Sequence, residues 1–334
     1  MDRSFAPSWD LPFGLNPYDN DPGAWGASLL NNAELLLACL DAVRARSVGE
    51  VGAYAGDLTR LLLRWAQGAG ARVVAIDPSP QPELEQLERE RAELELIRET
   101  SFRAFEQIAL PDALVLDGDH NYYTVSEELR RIALRSADEG VDLPLLLLHD
   151  VSWPHGRRDD YFDPEQIPAE HRQPIVPEGG LYPGVEGIRE GGLPYHYPAA
   201  HEGGPRNGVL TAVEDFLTAR QDLRLAVIPA FFGLGVLWPE AAPYASALAR
   251  VLEPWDRNPL LARLERNRVL HLASSQVQLN LATTAQEQLR RQEALLARML
   301  ASRAFAAAEL YLRLRQRGKP VFSRAAIREV LHRR

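Results

Sequence analysis

The 334-residue chain holds a single cysteine, Cys39. One thiol excludes both a disulfide framework and a cysteine-based zinc site within the chain. Long apolar runs are missing as well. The most apolar window, Leu225 to Trp238, is too short to span a bilayer and is broken by Pro229, Gly233 and Gly235. The opening segment, MDRSFAPSWDLPFG, lacks a basic stretch followed by an apolar one, so no signal peptide is expected and the expected location is cytoplasmic. There is no internal repeat.

What is present is the composition of an ordinary globular protein, 46% apolar and 25% charged, on a chain long enough for one full core and an appendage. The formal net charge is −9, unevenly spread. From Asn258 onward 15 Arg and Lys face 5 Glu, a local charge of +10, which leaves −19 on the rest. An acidic body lacks the basic groove that a nucleic-acid backbone needs, so no nucleic-acid partner is expected. The basic tail reads as the solvated face of a long helix.

Residues 1–30, rich in Pro, Gly, Asn and aromatics, read as an N-terminal arm or lid. A helix is expected from Asn31 to Arg46, followed by alternating strands and helices. The strands are Ser47–Val51, Ala71–Ile76, Glu95–Arg98, Ala113–Leu116 and Leu143–Leu148; the helices are Asp57–Gln67, Glu83–Glu93, Arg103–Ile108 and Val125–Ser136. A helix at Gly208–Arg220 and strands at Leu223–Ile228 and Gly235–Trp238 close the series. This rhythm implies an α/β fold with a doubly wound, mainly parallel seven-stranded sheet, and the continuously apolar ALVL and LLLL runs read as its central strands. The domain occupies 31–257 and carries an insertion at 151–207, too long for a plain connection and suited to a substrate lid. Residues 258–334 form a helical extension, patterned like a coiled coil up to Arg317, with Gly318–Lys319–Pro320 as a stop and Ser323 as the N-cap of a last helix. Self-association is expected to run through this tail.

The sharpest local signal is the strand-to-helix turn Glu50-Val51-Gly52-Ala53-Tyr54-Ala55-Gly56, followed by Asp77 after the second strand. Glycines there let the backbone approach a ligand, and the carboxylate of Asp77 can accept from two ribose hydroxyls. A dinucleotide site would present G-x-G-x-x-G to a pyrophosphate. Here the turn is G-x-x-x-G, preceded by an acid and followed by Asp57, which would repel phosphate. The pattern resembles the first motif of class I S-adenosylmethionine-dependent methyltransferases. By that resemblance Gly52 and Gly56 line the methionyl part of the cofactor, Glu50 supports the loop, Asp77 binds the ribose and Ser101 lies at the adenine, with Tyr54 also counted among the cofactor contacts.

Two acidic strand ends follow, DGDHNYYTV from Asp117 and HDV from His149. In an open parallel sheet such ends converge on the ligand, and clustered carboxylates there call for a cation or a proton. These motifs are similar to those of a bacterial family related to macrolide- and aminocoumarin-sugar O-methyltransferases and to cephalosporin hydroxylase-like proteins, over roughly residues 30–240. The resemblance implies that Asp117, also counted at the cofactor, and Asp150 hold Mg2+, that His149 stands where the family has an acid, and that Asp119 or His120 is the general base. His149 suits softer ions better than Mg2+. His120 is the preferred base, because an unperturbed imidazole titrates near 6.5, with Asp119 orienting it or acting in its place. Trp153, Arg157, Arg158 and Tyr161 in the insertion are candidate acceptor contacts, the arginine pair suiting a carboxylate or phosphate. The expected activity is methyl transfer from S-adenosyl-L-methionine to a hydroxyl of a sugar-like, glycan or other small acceptor, assisted by a cation. The alternatives are a hydroxylase-like enzyme on the same fold and a non-catalytic scaffold acting through its tail.

Overall fold

The computed structural model describes residues 29–177, 179–189, 191–315 and 323–332. Most of the expected N-terminal arm, residues 1–28, and the Gly318–Lys319–Pro320 stop lie outside them. The chain forms two compact units, one reaching Ala273 and one from Ser274 onward.

The first unit is built on the expected sheet. Strands β1 (Ser47–Val51), β2 (Arg72–Ile76), β3 (Leu94–Ile97), β4 (Ala113–Leu116) and β5 (Leu145–His149) run parallel. Later come β8 (Leu223–Ile228) and β9 (Leu234–Pro239), and the order across the sheet is β3-β2-β1-β4-β5-β9-β8. The β8–β9 hairpin does not simply extend the edge, because β9 inserts antiparallel between β5 and β8. Alternate strand residues point to opposite faces. Val48, Val73, Val115 and Leu147 meet α1 (Ala33–Val43), α2 (Asp57–Ala69), α3 (Pro82–Glu90) and α7 (Ala245–Leu252). Val51, Ile76, Leu116 and Leu148 meet α4 (Ser101–Gln107), α5 (Tyr122–Glu139) and α6 (Val209–Ala219). Double-sided burial is why these strands read as unbroken apolar runs.

Register decides what the strand ends bring together. Val51 pairs with both Ile76 and Leu116, and Leu116 pairs with Leu148. The next residues, Gly52, Asp77, Asp117 and His149, therefore leave the sheet at one level. The strand order reverses between β1 and β4, which is where open α/β sheets leave a crevice at the carboxyl ends.

The insertion is ordered. It carries a small antiparallel pair, β6 (Gly179–Leu181) and β7 (Leu193–Tyr195), and bridges from Asp160 to Pro198 and from Ile175 to Ala199. One buried carboxylate pins it to the body. Asp159, fully buried, accepts from the backbone N–H of Tyr122 at 2.7 Å and of Gly208 at 2.7 Å, and from the Tyr161 hydroxyl at 2.8 Å. Tyr122 opens α5 and Gly208 caps α6, so one anion serves two helix N-termini, where unpaired amides and the dipole favour negative charge.

In the tail, α8 (Pro259–Ala301) is a continuous helix, followed by α9 (Arg303–Arg315) and α10 (Arg324–His332). The first turns of α8 belong to the first unit, with Val269 and Ala273 buried. Ser323 caps α10 as its sequence position suggests, its hydroxyl accepting from Ala326 N–H at 3.2 Å. Among the described residues no helix is long and apolar enough to cross a membrane.

Replacing Asp159 with Ala should strip the two helix starts of their acceptor and lower stability by about 3 kcal/mol in denaturant unfolding, since bonds to a charged group are worth roughly 1.5–3 kcal/mol and orphaned amides add to the loss. A loss below about 0.5 kcal/mol, the size of an ordinary surface substitution, would contradict this role.

Candidate active site

The glycine turn has a steric origin. Gly52 has φ +85°, and a Cβ there would lie 2.2 Å from the Asp117 carbonyl oxygen. At Gly56, with φ +81°, a Cβ would lie 2.8 Å from the Leu87 side chain and 3.2 Å from that of Leu84, both on α3. The glycines thus let β1 turn against the end of β4 and let α2 start tight on α3. Asp77 closes the turn: its two oxygens accept from the backbone N–H groups of Tyr54 at 2.7 Å and Ser79 at 2.8 Å. Tyr54 itself has φ +43° and an exposed side chain. Glu50 lies beneath, buried, taking the Thr59 hydroxyl of α2 at 2.6 Å. Burial pushes its carboxyl up to about 8 despite that bond. Ser101, buried at the start of α4, bonds to Glu128 of α5. Burial pushes the Glu128 carboxyl up to about 7, and its Oε1 is buried without a partner.

At the ends of β4 and β5 two carboxylates and two imidazoles interlock. His149 Nε2 lies 3.0 Å from the Phe231 carbonyl oxygen, so it carries the hydrogen and donates. Its Nδ1 then faces Asp117 Oδ1 at 2.9 Å and Asp150 Oδ2 at 3.5 Å. His120 Nδ1 meets Asp150 Oδ2 at 3.0 Å. Burial works against charge on both imidazoles, but the facing carboxylates outweigh it and raise both above the ordinary histidine range. Burial likewise opposes ionisation of Asp150, and the two imidazoles overcome it, holding the carboxyl well below its usual range. The expectation of an unperturbed imidazole at His120 is thus corrected: without a further positive charge among these acids, His120 holds its proton at neutral pH. Asp150 has φ +58°, a strained backbone of the kind that persists at functional sites because its surroundings enforce it.

Asp119 serves the loop. Its Oδ2 accepts from Asn121 at 2.5 Å and Thr124 at 3.0 Å, and its Oδ1 from Phe162 N–H at 3.1 Å. The carboxylate that orients His120 is therefore Asp150. Behind His120, the buried His155 stacks at 5.4 Å between ring centres and in turn meets the Tyr195 ring edge at 4.8 Å. Burial pushes His155 down to about 4, so this ring is neutral at pH 7. A cavity of about 210 Å³ opens beside His120, with Asp160, Tyr161, Phe162, His196 and Tyr197 on its walls.

The arginine pair does not line this cavity. Arg157 forms a two-pronged ion pair with Glu214 of α6, at 2.6 and 2.8 Å. Arg158 is buried inside the insertion and donates to the Ala199 carbonyl. Arg157 thus ties the insertion to α6 and Arg158 holds it together from within, and Trp153 is half-buried away from the cavity walls. Tyr161 reaches the cavity while its hydroxyl is tied to Asp159.

Sequence reasoning gave no role to the loop that fixes His149. Phe231 and Phe232 both have positive φ, 52° and 66°. Glu265 of α8 accepts from Phe232 N–H at 2.8 Å, and the Arg268 guanidinium lies over both rings, at 5.4 and 4.5 Å. The root of the tail thus props the carbonyl that sets the His149 tautomer.

Because Glu50 holds its proton up to about 8 when folded and an unfolded glutamate loses it near 4.3, the folded state binds more protons across that window. Its contribution to stability is complete below the unfolded value and is lost as pH rises through the folded one. A Glu50→Gln variant should therefore gain stability relative to the parent between pH 5 and 8 in unfolding curves. A pH-independent difference would contradict the assignment.

No curated protein matches the chain. Solved structures resemble parts of it at low identity. A Podospora anserina methyltransferase bound to S-adenosylhomocysteine is 13% identical, with a TM-score of 0.40, over 64% of this chain and 80% of that one. A Geobacter sulfurreducens methyltransferase is 14% identical, with a TM-score of 0.34, over 62% and 78%. Human N-acetylserotonin methyltransferase, in complex with S-adenosylmethionine, is 12% identical, with a TM-score of 0.33, over 63% and 52%. Overlaps this loose carry no argument about function. The family model described as a methyltransferase domain matches residues 50–151, about a third of the chain, from the acid of the glycine turn to the residue after Asp150.

Proposed function

We propose that this chain transfers the methyl group of S-adenosylmethionine to a hydroxyl of a small acceptor, with His120 as the base. The observation that carries the reading is the His120–Asp150 pair beside the cavity. With Nδ1–H donated to Asp150 at 3.0 Å, the lone pair of neutral His120 is on Nε2, and a carboxylate so placed stabilises the imidazolium that forms.

The residues present fit the cofactor. Each Asp77 oxygen holds one backbone N–H and keeps a lone pair for a ribose hydroxyl. Glu128 Oε1 is a buried, unpartnered atom beside Ser101, where a nitrogen base could use it. Gly52, Gly56 and Tyr54 form the turn against which the amino-acid part would lie. When bound, the sulfonium supplies an already activated methyl carbon; the chain has to align the acceptor oxygen and take its proton.

The residues also fit a divalent cation. Donor atoms of Asp117, His149 and Asp150 lie within 4.8 Å of one another. With Nε2–H committed to Phe231, a neutral His149 would point its Nδ1 lone pair at two carboxylates, an arrangement that calls for a positive centre. A cation held there would lower the pKa of an acceptor hydroxyl, and its charge would also bring His120 back toward neutrality. The mixed nitrogen and oxygen donors suit Mn2+ or Zn2+ as well as Mg2+. We assign no step to Asp119 beyond holding the loop. A sugar-like acceptor remains compatible with the site's polar groups.

A scan of hydroxylated acceptors with methyl-labelled S-adenosylmethionine should find label transfer by mass spectrometry. On the acceptor found, His120→Gln should lower turnover by about 10²–10⁴-fold, the usual range for a lost general base, while cofactor affinity is kept. Thorough chelation should abolish turnover, and full activity after chelation would remove the cation. Unchanged turnover in His120→Gln would remove the base.

The tail is proposed to mediate self-association, since Leu279, Leu281 and Leu295 of α8 are exposed. Truncation before Ser274 should lower the mass measured by light scattering, and an unchanged mass would refute this.

A further inference from the structure

The tail carries a surface that its own packing does not use. On α9 the side chains of Phe305 and Leu312 are half-buried and Glu309 is buried, so this face of the helix turns inward. Ala307, Leu310, Tyr311 and Leu314 follow the i, i+3, i+4, i+7 spacing of one apolar stripe. At 3.6 residues per turn the stripe falls on the side opposite the packed face. All four residues are exposed, Leu310 at 61%, Tyr311 at 58% and Leu314 at 78%. A contiguous apolar patch with charged neighbours marks an interaction surface.

The charge around the stripe selects its occupant. Arg303 and Arg315, both exposed, are the first and last residues of α9, and Arg315 donates to the Tyr311 hydroxyl at 3.2 Å. The one acid of α9, Glu309, is buried on the other face. From Arg303 to Arg334 the sequence holds nine Arg and Lys against two Glu, a local charge of +7. Two copies packed stripe on stripe would bring two such segments within the Debye length of about 10 Å, and their repulsion opposes a second copy there. A nucleic-acid backbone would neutralise the arginines and leave three large apolar side chains in water. An anionic bilayer surface satisfies both features. The apolar side chains enter the acyl boundary while the guanidinium groups stay among the lipid phosphates.

We propose that α9 is a membrane-surface helix, whose Ala307, Leu310, Tyr311 and Leu314 face lies in the headgroup boundary of an anionic lipid bilayer, with Arg303 and Arg315 paired to lipid phosphates. The association is peripheral: the helix lies on the bilayer and does not cross it. The stripe is separate from Leu279, Leu281 and Leu295 of α8, the exposed residues assigned to self-association. This surface belongs to the tail alone and works whether or not the body transfers methyl groups.

The test is co-sedimentation of the full chain with vesicles of phosphatidylcholine alone and of equal parts phosphatidylcholine and phosphatidylglycerol. Binding to the anionic vesicles should be at least about tenfold tighter, because each arginine near a charged surface contributes on the order of fivefold. It should weaken as salt is raised. Changing Leu310→Ser and Leu314→Ser together, both at exposed positions, should weaken it by more than about tenfold, the loss expected when two leucine side chains no longer leave water. Arg303→Gln should weaken it by about fivefold. Leu134→Ser, an exposed apolar residue of α5 outside the tail, should leave it unchanged. Equal binding to the two vesicle types, no binding to either, or undiminished binding after the paired leucine change would each overturn the proposal. A lower mass in light scattering for the paired leucine variant without vesicles would overturn it in favour of a second copy on the stripe. Tighter binding to a DNA duplex than to the anionic vesicles would overturn it in favour of nucleic acid. If the paired variant loses helix content by circular dichroism, Arg303→Gln decides: an unchanged affinity overturns the membrane role.

Discussion

Two carboxylates, Asp117 and Asp150, meet a single imidazole nitrogen of His149 at the ends of β4 and β5. The opposite nitrogen is held as a donor by the Phe231 carbonyl. Acids this close are stable only with a positive centre between them, whether a proton or a cation. The electrostatics of the site follow from that constraint: both imidazoles are biased toward charge, Asp150 is held ionised, and His120 is released to act as a base only when another positive charge arrives. The backbone is strained at Asp150, Phe231 and Phe232, the residues on either side of this imidazole, as expected where packing enforces a functional geometry.

The fold supplies this arrangement through register. Level pairing of Val51, Ile76, Leu116 and Leu148 makes the next residue of each strand a neighbour of the others. Gly52 is required because β1 leaves the sheet against the Asp117 carbonyl, so the turn and the acid cluster form one steric unit. The insertion is fastened over them by Asp159 at the starts of α5 and α6. The root of α8 fastens the Phe231–Phe232 loop through Glu265 and Arg268. Two segments distant from each other in sequence thus hold the site.

Much of this was legible from residues alone. Strands β1, β4 and β8 fall where apolar runs bounded by polar residues put them, and the helix-capping role of Ser323 follows from its position. The convergence of Asp77, Asp117, His149 and Asp150 followed from the parallel sheet. Partner choice was not legible. Local spacing suggested Asp119 as the orienter of His120, but Asn121 and Thr124 engage Asp119 within its own turn, and Asp150 comes from the next strand. Adjacent arginines suggested an anion clamp, yet Arg157 finds Glu214 far along the chain. The insertion of β9 beside β5 and the support from Glu265 are long-range facts that no periodicity encodes.

The account turns on whether the glycine turn and Asp77 hold a sulfonium-bearing nucleoside against this cluster. Calorimetric titration of the full chain with S-adenosylmethionine addresses it directly. Saturable one-to-one binding that is lost in Asp77→Ala, with the variant's thermal stability retained, is the predicted result. Absence of binding heat in the parent chain over a range of temperatures, or undiminished affinity in Asp77→Ala, would contradict it.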